Sequence, residues 1–202
     1  NNRLELIEHI IKFLKTSKTF FILKKVVILM RKILLRALTK TDLEKTLKWH
    51  NQEDIKDLYS GHPFPINKEM EEKWYENILT SNFPTTVFGI EYCENKELIG
   101  ITLLKGINLI HRSAEFANFI GEKDYCGIGL AKEATLQTLS FGFNKLGLNR
   151  IYLKVDFDNE RAIKLYKSVG FKIEGTLRKS IFRNNQFKDE FIMSILKDEH
   201  NE

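Results

Sequence analysis

Disulfides, metal clusters and membrane spans have little to be built from in this sequence. Cysteine occurs twice, at Cys93 and Cys126, with no C-x-x-C spacing and no neighbouring histidine pair. That excludes a disulfide framework and a structural zinc site, and makes a reducing, cytoplasmic setting the expectation. Three prolines and eleven glycines leave no room for long linkers, and 202 residues suit one domain better than two. The most apolar stretch lies near the beginning and is split by Lys24 and Lys25. It falls short of the ~20 apolar residues of a bilayer span, and no small-residue cleavage site of a signal peptide follows it.

Charge of one sign is also scarce once its distribution is considered. The net charge is +5, but residues 1 to 29 carry Arg3, Lys12, Lys15, Lys18, Lys24 and Lys25 against Glu5 and Glu8. That segment holds an excess of four positive charges, and the rest of the chain an excess of one. A near-neutral body without an interleaved basic and aromatic stripe argues against a nucleic-acid partner. The first segment lacks an initiator methionine, and Met30 directly precedes the strand-like "KILLRAL". The expectation is that residues 1–29 are a leader, foreign to the native protein or a loosely packed helix, and that residues 30–202 form a single domain. A basic amphipathic helix lying on a membrane stays open for the leader, although no membrane partner is expected for the body.

What is present is an ordinary globular balance, 43% hydrophobic and 29% charged, which argues against disorder. "KILLRAL" reads as a strand. Thr41 is the expected cap of a helix spaced by Leu43, Leu47 and Trp49. A second helix follows a proline-containing loop, with Met70, Trp74 and Ile78 on one face. "TTVFGIEYC", "ELIGITLLKGI" and "IHRSAEFANFIG" read as strands, with a hairpin at "ENK" and a break at Gly106. A helix over Leu130 to Leu146, with Ala134, Leu136, Leu139 and Phe143 apolar, closes near Gly147. The strand "NRIYLKV" and the helix "NERAIKLYKSVG" follow, and "FKIEGTLR", "KSIFRN" and "DEFIMSILK" end as strands. The order β-α-α-β-β-β-α-β-α-β-β implies an α/β (α+β) domain with a mixed, mostly antiparallel sheet flanked by helices.

The informative stretch is "YCGIGLAKEATLQTL", in which Gly127 and Gly129 stand directly before a helix. A glycine turn there exposes unpaired amides at the positive end of the helix dipole, a site for phosphate oxygens. A dinucleotide fingerprint needs a third glycine where Lys132 stands, and no P-loop pattern occurs. The remaining readings are a loop whose Cys126 to Ala131 amides (Cys126, Gly127, Ile128, Gly129, Leu130, Ala131) hold the pyrophosphate of coenzyme A, and a merely tight turn.

From about Ile33 to Asp198 the chain resembles the GNAT superfamily of N-acetyltransferases, in its RimJ/RimL-like branch, which includes diamine acetyltransferases. "YCGIGLAKEA" is similar to that branch's coenzyme loop, with Cys126 for the common Trp and Asp124 for the usual Gln or Arg. "HRSAEFANFIGEK" resembles the strand before the loop, and "NERAIKLYKSVGFKIEGTLRKSIFRNNQFKDEFIMSIL" the branch's C-terminal pattern. The resemblance implies a GNAT fold with splayed central strands and direct transfer of an acetyl group from acetyl-CoA, a cosubstrate, to a primary amine, with no metal. It implies that backbone groups of Phe119 and Ile120 align the thioester and pantetheine arm, that Asn159 contacts pantetheine besides capping its helix, and that Tyr166 is the general acid. For Tyr166 the alternative is a core aromatic beside Leu165 and Phe171.

Glu115, alternating with Ala117 and Phe119, is the candidate base, or else half of an ion pair with Arg112 or Arg150. His62 and His111 are weaker candidates. The acceptor is expected to be a polyamine, an amino sugar or a peptide amine. Glu53, Asp54, Asp57, Glu69, Glu71 and Glu72 could attract a polycation or only solvate their helices. A homodimer fits these expectations. The rival reading is a non-catalytic acyl-CoA-binding sensor or interaction module.

Overall fold

Some strands of this chain bury alternate residues, as over Arg150–Asp156, and one buries both faces, as over Leu98–Leu104; the register between strands decides where the sheet opens. A computed structural model describes residues 31–53, 55, 64–80, 85–183 and 185–200. The expectations for residues 1–29 and for His62, Asp54 and Asp57 fall outside them. The described strands and helices all belong to the compact unit Ile33–Glu202. Among the described residues, no helix is long and apolar enough to cross a membrane.

Seven strands form one sheet: β1 (Ile33–Arg36), β2 (Thr85–Tyr92), β3 (Glu97–Asn108), β4 (Ser113–Ile120), β5 (Arg150–Asp156), β6 (Lys172–Arg183) and β7 (Gln186–Leu196). Their spatial order is β1-β2-β3-β4-β5-β7-β6. All neighbours are antiparallel except β4 and β5, which run parallel and pair only over Ser113–Glu115 and Arg150–Tyr152. Beyond Glu115 the two central strands part.

Among the described residues, four helices cover the sheet: α1 (Leu43–Asn51), α2 (Lys68–Thr80), α3 (Leu130–Asn144) and α4 (Glu160–Ser168). Side chains alternate across β4. Ala117 and Phe119 pack with Trp49 of α1 and Tyr75, Trp74 and Ile78 of α2. Ala114 and Phe116 pack with Leu139 and Phe143 of α3 and Tyr166 of α4. The two helix pairs therefore lie on opposite faces. A smaller cluster seats Leu130 and Ala134 of α3 on Ile33, Ile90 and Ile99.

Local chemistry moved several expected boundaries. The start of α1 is organised by Thr39 and Asp42 instead of Thr41. Asp42 Oδ2 accepts from the Thr39 amide (2.7 Å) and hydroxyl (2.8 Å), and Arg36 clamps both oxygens of the same carboxylate at 2.8 and 2.9 Å. Gly106 does not end its strand. It takes φ +59° inside β3, where the register with β4 shifts, which is how a bulge absorbs an extra residue. "FKIEGTLR" and "KSIFRN" are one strand, β6, with register shifts against β7. On α2, Met70 is exposed while Glu71 and Tyr75 are buried, so the inward face is rotated from the expected one. Glu71 tolerates burial because it accepts from the Thr46 hydroxyl (2.5 Å) and pairs with His50 Nδ1 (2.8 Å).

The approach of β3 to β4 is close enough to demand glycine at one point. A Cβ on Gly100 would stand 2.2 Å from the Phe119 carbonyl oxygen and 3.0 Å from Ile120 Cα. Both are backbone atoms of the strand that borders the gap, so neither can step aside. Gly100→Ala is expected to cost about 2 kcal/mol through forced backbone shifts. Thermal unfolding followed by circular dichroism should show a midpoint lower by roughly 4–8 °C.

Candidate active site

The glycine turn enters α3 in the conformation that its sequence suggested. Gly127 and Gly129 take φ +85° and +92°, a region that side chains resist, and a Cβ on either would meet nothing within 4 Å. Glycine is thus required by backbone conformation and not by protein packing. The Cys126 amide is already used, donating to the Lys123 carbonyl at 3.0 Å, and the Glu133 amide donates to Gly129 at 3.2 Å. Between them the amides of Gly127, Ile128, Gly129, Leu130, Ala131 and Lys132 find no acceptor among the described residues. The expected run of donors therefore begins at Gly127 and leaves out Cys126. Six adjacent donors at the positive end of a 15-residue helix suit a pyrophosphate.

The turn is held from two sides. The Tyr125 hydroxyl donates to Glu97 (2.9 Å) and accepts from Asn95 (2.8 Å), and Lys45 pairs with the same glutamate at 2.6 Å. The Trp49 indole N–H donates to Glu122 at 3.0 Å. Its ring lies so near Gly121 that a Cβ there would stand 2.3 Å away.

The parted strands expose a defined set of backbone groups. The Arg150 amide donates to the Arg112 carbonyl at 3.2 Å, so the even-numbered residues of β4 turn their backbone toward β5. The register with β3 is regular from Glu115 to Ile120, and alternation carries Asn118 and Ile120 to that same edge. Pairing with β5 has ended by then, and these residues present an unpaired strand edge. Phe119 does not: its backbone faces β3, as its carbonyl beside Gly100 shows. Its ring packs edge-on against Trp49, with centroids 5.8 Å apart. Of the two residues expected to offer backbone groups, Ile120 lies on the open edge and Phe119 does not; Asn118 lies there beside Ile120.

Tyr166 sits on the buried face of α4. Asn159 caps that helix, its Oδ1 accepting from the Ala162 amide at 3.0 Å. The Tyr166 ring packs against Phe116 and Phe171, with centroids 6.2 and 5.7 Å away. Its hydroxyl donates to Asn118 Oδ1 at 3.4 Å. Burial pushes the phenol up to about 12, so it stays protonated through neutral and mildly alkaline pH. Tyr166 is thus a core aromatic whose hydroxyl hydrogen points toward Asn118, a residue of the open edge. Asn118 was missed in the sequence, where the one available signal was a lone amide inside the apolar run "AEFANFI".

Glu115 lies on the other face of β4. Its partner is Lys105, at 3.1 Å, and neither expected arginine; Arg150 instead clamps Glu174 with two bonds of 2.5 Å. Lys105, the partner of Glu115, lines a cavity of about 350 Å³ together with Trp74, Ile78, Val87, Leu103 and Ala117. Glu115 and Tyr166 are therefore not side by side, and the open edge of β4 runs between them. His111 lies in the exposed turn before β4, away from both.

Residues 32–172 match the family described as the acetyltransferase (GNAT) domain. The chain belongs to the GNAT acetyltransferases. Spermidine N(1)-acetyltransferase of Vibrio cholerae is 34% identical to it over 166 residues, which cover 82% of this chain and 94% of that one. The Escherichia coli enzyme of the same name is 31% identical over 166 residues, 82% and 87% of the two chains. The crystal structure of the Vibrio cholerae spermidine N-acetyltransferase in complex with CoA and spermine has a TM-score of 0.78 and 33% identity, covering 83% of this chain and 97% of that one. The protein is thus an acetyl-CoA-dependent N-acetyltransferase acting on a primary amine, with the mixed seven-stranded sheet of its family.

Replacing Gly129 by valine should weaken CoA binding about tenfold or more, because the strained φ would displace the donor amides. Isothermal titration with CoA is the check, and an unchanged dissociation constant would remove the loop from the coenzyme site.

Proposed function

We propose that the acceptor is a polyamine of the spermidine class and that the chain belongs to the RimJ/RimL-like branch of its family. Likeness to spermidine acetyltransferases over nearly their whole length carries this reading. The cavity beside Glu115 supports it. Walls of Trp74, Ile78 and Leu103 suit the methylene stretches of a polyamine, and an ammonium group would compete with the lining Lys105 for its partner Glu115. Glu69 and Glu72 are exposed on α2 and add negative charge at the surface, whereas Glu71 is buried and bonded and attracts no ligand.

The geometry supports a role for each of these groups. The amides from Gly127 to Lys132 hold the pyrophosphate of acetyl-CoA. The open edge of β4 at Asn118 and Ile120 takes the pantetheine arm as an added strand, through main-chain hydrogen bonds. The Asn159 side-chain nitrogen is left to donate to the same arm, since its oxygen is committed to the cap. A polyamine nitrogen is protonated at neutral pH, and Glu115, directly or through water, draws off the proton before attack on the thioester carbonyl. Tyr166 then protects the departing thiolate by donating its hydrogen.

Free CoA release should be assayed with spermidine, spermine, an amino sugar and a peptide amine at saturating acetyl-CoA. Saturable release with the polyamines alone is the expected outcome. Release with another class alone would reassign the acceptor, and tight acetyl-CoA binding without release for any amine would favour a sensor. Within the active pair, Tyr166→Phe should lower kcat about 10²-fold or more while KM for acetyl-CoA stays within about twofold. With the phenol pushed up to about 12, its ionisation should cause no loss of kcat below about pH 11. A stopped assay from pH 7 to 10.5 checks this, and an alkaline loss that vanishes in Tyr166→Phe would contradict it.

A further inference from the structure

One side chain ties the proton donor to the coenzyme loop, and no step of the acetyl transfer uses it. Asn118 stands on β4 facing α3. Its Nδ2 donates to the Ala131 carbonyl at 3.1 Å and to Thr135 Oγ1 at 2.9 Å. The Thr135 hydroxyl spends its own hydrogen on the Ala131 carbonyl at 2.7 Å, so toward Asn118 it can only accept. Both hydrogens of the Asn118 amide are therefore committed, and its orientation is set by chemistry: Oδ1 must face the other way. The group found there is the Tyr166 hydroxyl, at 3.4 Å.

We propose that Asn118 is the positioning residue for Tyr166: its locked side-chain amide holds the phenol hydroxyl along the open edge of β4 and couples it to the first turn of α3. This rests on the reading of Tyr166 as the proton donor. A contact of 3.4 Å is long and weak, so it biases the direction of the hydroxyl and yields readily to a charged acceptor. As the thioester C–S bond breaks and sulfur gains charge, the hydrogen swings from Asn118 Oδ1 to sulfur. The phenolic O–H bond breaks and an S–H bond forms. The amine nitrogen, positively charged after attack, returns a proton to the phenolate, so the net transfer is from nitrogen to sulfur. Asn118 supplies no proton. It accepts from the neutral phenol only, which disfavours the phenolate and returns Tyr166 to its loaded state. The other end of the amide rests on Ala131, one of the donors of the coenzyme loop, so a displacement of α3 also moves the hydroxyl.

The test is a double-mutant cycle on the full chain, with kcat and KM for acetyl-CoA and spermidine measured for wild type, Asn118→Leu, Tyr166→Phe and the double variant. Leucine keeps the shape of asparagine and removes its polar atoms. Asn118→Leu is expected to lower kcat about tenfold or more with KM for acetyl-CoA within about twofold, and to add nothing in the Tyr166→Phe background. Thr135→Val, which frees the amide to turn, should give a smaller loss that also vanishes in that background, and it carries the cycle if Asn118→Leu does not fold. An unchanged kcat in Asn118→Leu overturns the proposal. An equal fold loss in both backgrounds also overturns it, by making Asn118 a structural residue only. Wild-type turnover in Tyr166→Phe removes the donor itself and the positioning role with it. If spermidine is not acetylated but another amine is, the cycle run with that amine tests Asn118 unchanged, and only the acceptor assignment falls.

Discussion

The parting of β4 from β5 after three paired residues is the constraint on which the rest of this structure depends. A sheet interior leaves no backbone group without a partner, because an unmet buried amide or carbonyl costs about as much as a lost hydrogen bond. Here the strands diverge in the middle of the sheet, so Asn118 and Ile120 present an unmet edge in the protein's centre and not at its rim. Everything with chemical potential gathers around that edge. The glycine turn and α3 stand beyond its end, Tyr166 reaches its α3 side through Asn118, and Glu115 lies on the α2 side.

The gap survives because its flanks are rigid. Gly100 lets β3 approach the Phe119 carbonyl closely on the paired side of β4. Trp49, fully buried, reaches from α1 across Gly121 to Glu122 and holds the chain as it leaves β4 for the turn. Tyr125 fastens the next residues to Glu97 and so to Lys45. The segment joining the open edge to the unpaired amides of the glycine turn is thus tied to helix α1 at one point and to the β2–β3 hairpin at another.

How far the sequence made this legible depended on the range of the interaction. The element order and the glycine turn were readable because each is written in neighbouring residues: alternation for strands, Gly127 and Gly129 before an amphipathic run. Tyr166 and Asn159 came from a resemblance spanning several motifs. Whether Phe119 or its neighbours face the gap was not readable, since that depends on the pairing register, fixed by a hydrogen bond between Arg112 and Arg150 far along the chain. The partner of Glu115 was missed for the same reason: Lys105 stands directly opposite it across the β3–β4 pair, a placement that the register decides. Thr41 was the wrong cap because a single 3-10 turn precedes α1, and Asp42 there answers to Arg36 as well as to Thr39. Asn118 carried a faint signal, a polar residue in an apolar strand, whose meaning depends on three partners from two helices.

The interrupted pairing of β4 has a kinetic side. An edge that took the arm of the coenzyme through main-chain hydrogen bonds, as proposed, would do so without regard to whether the distant thiol carries an acetyl group. The spent carrier would therefore rest in the gap about as comfortably as the loaded one, and only the region near Tyr166 would distinguish them. On the proposed reading, the used carrier must break those main-chain hydrogen bonds to leave, so free CoA is expected to compete with acetyl-CoA for the same edge.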